Sequence, residues 1–285
     1  MAYEKISGFA DEISTYVDEQ FAVLNKLNIK YFEVRGVDGK NISTLTDDEV
    51  LALKSKMEQF GIEASSIGSP IGKIKIEEDF APHFEVFKKV VEITKVLGAK
   101  YIRIFSFYHE GGDEWSMEER EEVFARLRQM IDYAGEHGVV LLHENEKGIY
   151  GDTARRCVDL MKELGCKHFR AVFDPANFVQ CGQNTKEAFD SLKSYVEYMH
   201  IKDARSQDDK VVPAGVGDGN VAYILKELFD SGYRGFLSLE PHLGSFEGLA
   251  ALELDDKMEN LPKGGEGTFT FAYQALCSIL EDIRL

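Results

Sequence analysis

The chain has 285 residues and an apolar fraction of 44%, enough to bury a sizeable core. Its formal charge of −17 disfavours polyanion partners, because a nucleic-acid binder needs a basic footprint to displace counterions. No run approaches the ~18 apolar residues of a membrane span, so the charge is read as keeping a cytoplasmic protein soluble.

Strand-like and helix-like segments alternate along the whole sequence. KISGFA (5–10), YFEVR (31–35), IEASSI (62–67) and YIRIFSF (101–107) are the first four strand candidates. VVLLHE (139–144), HFRAVFD (168–174), YVEYMH (195–200) and GFLSLE (235–240) are the next four. Helical patterns fall near 15–27, 46–59, 80–97, 117–136, 152–164, 186–193, 220–231 and 267–282. Gly61, Gly98, Gly138 and Gly165 each follow such a pattern and are expected to end a helix in the left-handed conformation. Eight βα units without a linker predict a single-domain α/β fold over residues 1–285, a (β/α)8 TIM barrel. An open doubly wound sheet would want a GxGxxG turn after its first strand, and SGFADEIS has none.

Cys157, Cys166, Cys181 and Cys277 form no CxxC pair and no zinc-finger spacing, which fits a reducing compartment. The opening MAYEKISGFADEIS has no apolar stretch and is not expected to be a signal peptide. The 241–264 segment is long for a connection and is expected to form a lid or substrate wall on the catalytic face.

The last four strand candidates each close on a side chain that can bind a metal: Glu144, Asp174, His200 and Glu240. Active sites of such barrels are built at the C-terminal ends of the strands. One carboxylate there, taken alone, reads as a helix N-cap or an ion-pair partner. Four such residues on consecutive strands point instead to a site for one divalent ion, Mn2+, Mg2+ or Zn2+. An ion held this way can take a carbonyl and the neighbouring hydroxyl of a sugar and stabilise the enediolate left by proton removal. Glu144 and Glu240, on strands roughly across the barrel, are then the expected acid and base.

At these residues the chain resembles the xylose isomerase-like TIM barrel superfamily, the sugar phosphate isomerase/epimerase group. LLHEN (141–145), FDPAN (173–177), HIKDA (200–204) and GYRGFLSLEP (232–241) match its motifs of strands five to eight. PAGVGDGNVAYILKEL (213–228) looks like the glycine-rich loop and helix before the last of them. The resemblance implies that Glu144, Asp174, His200 and Glu240 bind one divalent ion, with the two glutamates as acid and base. It also implies a small carbohydrate substrate and a homodimer or homotetramer. Many epimerases of the group have a His three residues after the metal Asp, where this chain has Asn177. An amide there can hydrogen-bond a sugar hydroxyl but cannot titrate near neutrality.

Further substrate-binding candidates are Lys202, two residues past His200 and so on the same face, with Arg205 and Glu146. Arg35 and Arg103 could also meet the substrate, and SSIGSPIGK (65–73) could cradle an anion. The expected activity is a divalent-metal-dependent isomerase or epimerase acting on a sugar or sugar phosphate. The runner-up is a dehydratase or lyase on an inosose or keto-sugar, with His143 or Glu146 as the acid near the leaving group. An endonuclease IV-like nuclease is the remote alternative, since that chemistry uses a histidine-rich cluster of three metals.

Overall fold

A computed structural model describes residues 5–112, 114–243 and 265–283. Eight parallel strands overlap the eight sequence candidates: β1 (Ile6–Gly8), β2 (Tyr31–Val34), β3 (Glu63–Gly68), β4 (Tyr101–Ile104), β5 (Val140–Glu144), β6 (Phe169–Phe173), β7 (Val196–Ile201) and β8 (Phe236–Leu239). Hydrogen-bonded neighbours run β1–β8–β7–β6–β5–β4–β3–β2, and β1 packs beside β2 at the remaining seam. The sheet is therefore a nearly closed TIM barrel.

Helices α1 (Val17–Lys26), α2 (Asp47–Phe60), α3 (Phe80–Leu97), α4 (Met117–Glu136) and α5 (Ala154–Leu164) follow the first five strands. Two helices follow β6, α6 (Pro175–Gln180) and α7 (Thr185–Leu192), and then come α8 (Val221–Asp230) and α9 (Gly265–Asp282). The short α6 is absent from the sequence prediction because six residues carry too little periodicity to register. Its start is nevertheless written locally: Asp174 caps it and Pro175 takes the first turn, where no N–H is missed. No described helix is long and apolar enough to cross a membrane.

Strand alternation sorts the side chains into two layers. Tyr101, Val140, Leu142, Val172 and Tyr198, with Phe236 against them, fill the barrel interior. Their odd-numbered and even-numbered neighbours, such as Ile102, Leu141, Ala171, Met199 and Leu237, pack outward under the helices. Every second residue along a strand faces the same way. The interior parity of Leu142, Val172, Tyr198 and Phe236 therefore carries Glu144, Asp174, His200 and Glu240 to the mouth of the barrel.

Gly61, Gly98 and Gly138 adopt the left-handed conformation, with φ of 67°, 75° and 71°. Gly165 does not: its φ is −58°. A Cβ at Gly165 would lie 2.2 Å from the Met161 carbonyl oxygen, so close backbone approach is what requires glycine there. Of the 241–264 connection, residues 244–264 lie outside the described residues.

Candidate metal centre

Glu144, Asp174, His200 and Glu240 converge: each offers one ligand atom, and these atoms lie within 4.8 Å of one another. All four are buried. His200 Nδ1 stands 3.2 Å from Glu144 Oε1, 3.4 Å from Glu240 Oε2 and 3.9 Å from Asp174 Oδ2. Asp174 divides its labour. Its Oδ1 accepts the Asn177 backbone N–H at 2.9 Å, capping α6, which leaves Oδ2 for the cluster.

The remaining oxygens of the two glutamates are held by arginines. Arg103 donates to Glu144 Oε2 at 2.6 Å, and Arg35 donates to Glu240 Oε1 at 3.1 Å. Lys202 donates to Asn177 Oδ1 at 2.8 Å and to Asp174 Oδ2 at 3.2 Å. Asn177 donates in turn to Glu144 Oε1 at 3.2 Å and to the Asn145 carbonyl at 2.9 Å. Its amide therefore braces Glu144 and Lys202.

Burial by itself would disfavour charge on every member of this cluster, and the partners decide which members keep it. For Glu144 the burial cost is outweighed by His200 and Arg103, and its carboxyl is held below the usual range. Glu240 is likewise held low against burial, by Lys202 and His200. Asp174 goes the other way: burial raises it, Glu240 and Glu144 add to the rise, and Lys202 only partly offsets them. Burial also opposes charge on His200, but Glu144 and Glu33 outweigh it and push its pKa up.

The donor chemistry suits a divalent ion. Three carboxylate oxygens and one imidazole nitrogen form a hard, mixed O/N set. Glu240 Oε2 is buried beside the imidazole yet accepts no hydrogen bond, an orphaned lone pair of the sort a cation satisfies. A second group of ligand-capable residues, Glu12, Glu240 and His242, also lies within 4.8 Å. Arg35 already donates to both Glu12 (3.2 Å) and Glu240 (3.1 Å), so a cation occupies that position without any metal.

The other sequence candidates spread around this centre. Glu146 sits at the rim, paired with Lys73 at 2.9 Å. Arg205 forks onto Asp208 at the surface, away from the four clustered side chains. His143 faces outward, as its parity with Leu141 requires, with Nε2 2.9 Å from Ser106 Oγ. Burial pushes its pKa down to about 4. Two participants escaped the sequence reading. Glu33, inside β2, lies under His200, and Asn145 ties the ends of β5 and β6 by exchanging hydrogen bonds with the Asp174 backbone at 2.8 and 3.0 Å. Glu33 carried a signal: a lone acid in a four-residue barrel strand, two positions before Arg35 and so on the same face.

A family model described as "Xylose isomerase-like TIM barrel" matches residues 21–261. The chain belongs to that family. Among curated members it is 22% identical to a 3-dehydroshikimate dehydratase of Bacillus anthracis over 205 residues, 70% of each chain. It is 21% identical to an inosose dehydratase of Mesomycoplasma hyopneumoniae over 234 residues, covering 72% of this chain and 77% of that one. A D-tagatose 3-epimerase-like protein superposes with a TM-score of 0.75 at 16% identity, covering 98% of both chains. A structure described as IOLI protein with a binding zinc atom superposes at 0.73 with 19% identity, over 98% of this xylose isomerase-like barrel and 99% of its own chain.

Proposed function

We propose that the protein is a divalent-metal-dependent isomerase or epimerase of a small sugar or sugar phosphate, with Glu144, Asp174, His200 and Glu240 holding the ion. One observation carries this reading: Glu144, Asp174, His200 and Glu240 are all buried, and their ligand atoms lie within 4.8 Å of one another. Three carboxylate oxygens and one imidazole nitrogen gathered that closely out of water suit a divalent ion. When bound, the ion polarises a substrate carbonyl and stabilises the negative charge that proton removal creates next to it.

The protein's own groups divide the rest. Arg103 and Arg35 fix one oxygen of Glu144 and Glu240 respectively, so each carboxylate keeps a defined orientation with its second oxygen toward the cluster. One glutamate takes the proton from the carbon beside the carbonyl, and the other, after taking up a proton from solvent, delivers it from the opposite side. Lys202 Nζ, which touches both Asp174 and Glu240, places a positive charge where a substrate oxygen becomes anionic.

Elimination at the same centre is the second reading, and the dehydratases among the relatives favour it. It begins with the same proton removal but needs an acid near the leaving group. His143 is turned away behind Ser106, which leaves Glu146 at the rim. A nuclease reading is weakened by the single histidine of the cluster and by the charge of −17.

Elemental analysis of wild type and Glu240→Gln, then incubation of the loaded enzyme with a ketose panel in D2O, tests the proposal. The expected result is one divalent ion per wild-type chain and deuterium at a carbon beside the carbonyl, with the product separating isomerase from lyase. A wild type that takes up no ion after reconstitution would refute the metal-centre reading.

A further inference from the structure

Glu33 is among the most enclosed charged groups of the barrel, with the residue 1% exposed. It reaches across the interior from β2 to the far side of His200, where its Oε2 lies 3.2 Å from Nε2. Ser238, on β8, donates to the same oxygen at 2.7 Å. The His200 ring is further clamped by edge-on contacts with Phe9 and Tyr198, at centroid distances of 5.3 and 5.9 Å. The ring is thus fixed in place, and once an ion takes one nitrogen the other must carry the proton.

Electrostatics on the Nδ1 side favours the wrong answer for a metal ligand. Glu144, Glu240 and Asp174 all present oxygens to Nδ1, and each of them attracts a proton there. A proton on Nδ1 occupies the lone pair that an ion needs. Glu33 is the carboxylate that the described residues place on the Nε2 side. Its Oε2 already accepts from Ser238, so the same oxygen faces Nε2 as an acceptor at 3.2 Å and favours a proton on that nitrogen. Its other oxygen, Oε1, has no hydrogen-bond partner, so its hydrogen bonds to His200 and Ser238 both run through Oε2.

We infer that Glu33 is a positioning residue that holds His200 in the Nε2–H form, keeping the Nδ1 lone pair directed at the ion. This inference rests on the proposed ion site. It explains why a carboxylate is buried against Nε2 of His200, the ring nitrogen opposite the one that faces Glu144, Asp174 and Glu240. Outer partners of metal-bound imidazoles act by fixing the tautomer and orientation of the ring, and their loss typically weakens metal binding about 10–100-fold.

The test titrates Co2+ into apo wild type, Glu33→Gln and Glu33→Asp, reading affinity by calorimetry and ligand field by the visible spectrum. In Glu33→Gln an amide replaces the carboxylate at the same volume, and affinity is expected to fall about 10–100-fold with an altered Co2+ spectrum and an unchanged apoprotein melting temperature. Glu33→Asp, which keeps the charge, should recover part of the affinity. A purely structural Glu33 would lower the melting temperature and leave Co2+ affinity and spectrum at wild-type values, which would overturn the inference. Should the variants fail to fold, nitrogen-15 NMR of the Zn2+-loaded wild type decides directly: a proton on Nε2 of His200 supports the assignment, and a proton on Nδ1 refutes it. Failure of wild type to bind any ion would instead remove the ion site itself, and this inference with it.

Discussion

Lys202 Nζ stands 3.2 Å from Asp174 Oδ2 and 3.6 Å from Glu240 Oε2, almost sealed from solvent. Burial opposes its charge, but Asp174 and Glu240 outweigh that cost and push its pKa up. Removing one member of a buried ion pair leaves the other uncompensated, which typically costs about 3–5 kcal/mol. Lys202→Met should therefore destabilise the apoprotein by roughly that amount at alkaline pH, where Asp174 is ionised. Denaturant titrations with and without saturating Mn2+ check it, because a bound cation should restore part of the loss. Equal losses in both conditions would mean that Lys202 does not share the ion's task of neutralising the cluster.

At the scale of elements, caps and loops hold the site walls. Thr46 and Glu49 form a capping box at the start of α2, and Lys40 donates to Glu49 Oε1. The Lys40 and Thr46 hydrogen bonds hold the Glu49 carboxyl at about 2, below its ordinary 4.5. A folded pKa below the unfolded one adds stability that is complete above the unfolded value and disappears as pH falls through the folded one. Glu49→Gln should thus melt below wild type near neutrality, and the gap should close as pH falls from about 4.5 to about 2. A gap independent of pH would place its origin elsewhere. The loop after β3 gives a sharper test. Gly72 has φ of +90°, and a Cβ there would lie 2.1 Å from the Phe105 carbonyl oxygen. The same loop accepts N–H bonds from Phe105 and Phe107 at 2.8 and 3.0 Å, and carries Lys73 over the Phe105 ring to Glu146. Gly72→Ala combines backbone strain of about 1–3 kcal/mol with displacement of that wall. The expected outcome is a destabilised protein with weakened substrate binding, read by melting temperature and KM.

For the whole molecule the prominent variable is the proposed ion. An ion that binds the native state and not the unfolded chain stabilises it by about 4 kcal/mol at a thousandfold excess over Kd. In a domain of this size that is roughly 10 °C of melting temperature. Stripping with a chelator should lower the transition by that order, and Mn2+, Mg2+ or Zn2+ should restore it. Calorimetry with and without chelator measures the difference, and superimposable curves would contradict a resident ion.

The sequence by itself determined the barrel and the convergence of its four ligand-capable residues. Alternation along a strand is a local property: once Leu142 and Tyr198 point inward, Glu144 and His200 must follow two residues later. Asp174 and Asn177, as cap and third residue of α6, were equally local. The outward turn of His143 obeys the same rule, read against its neighbour Leu141. What the tertiary structure decided depends on closure. Arg35 meets Glu240 from 205 residues away in the chain, and Glu33 meets His200 from 167 away. No periodicity encodes those pairings, because they exist only when the sheet curls until β1 packs beside β2 and the strands on either side of that seam share one interior. Arg205 shows the converse: near His200 in sequence, it lies on a hairpin that leaves the barrel and turns its guanidinium to Asp208. Local chemistry placed the ligand-capable side chains on one rim, and closure selected the charges that surround them.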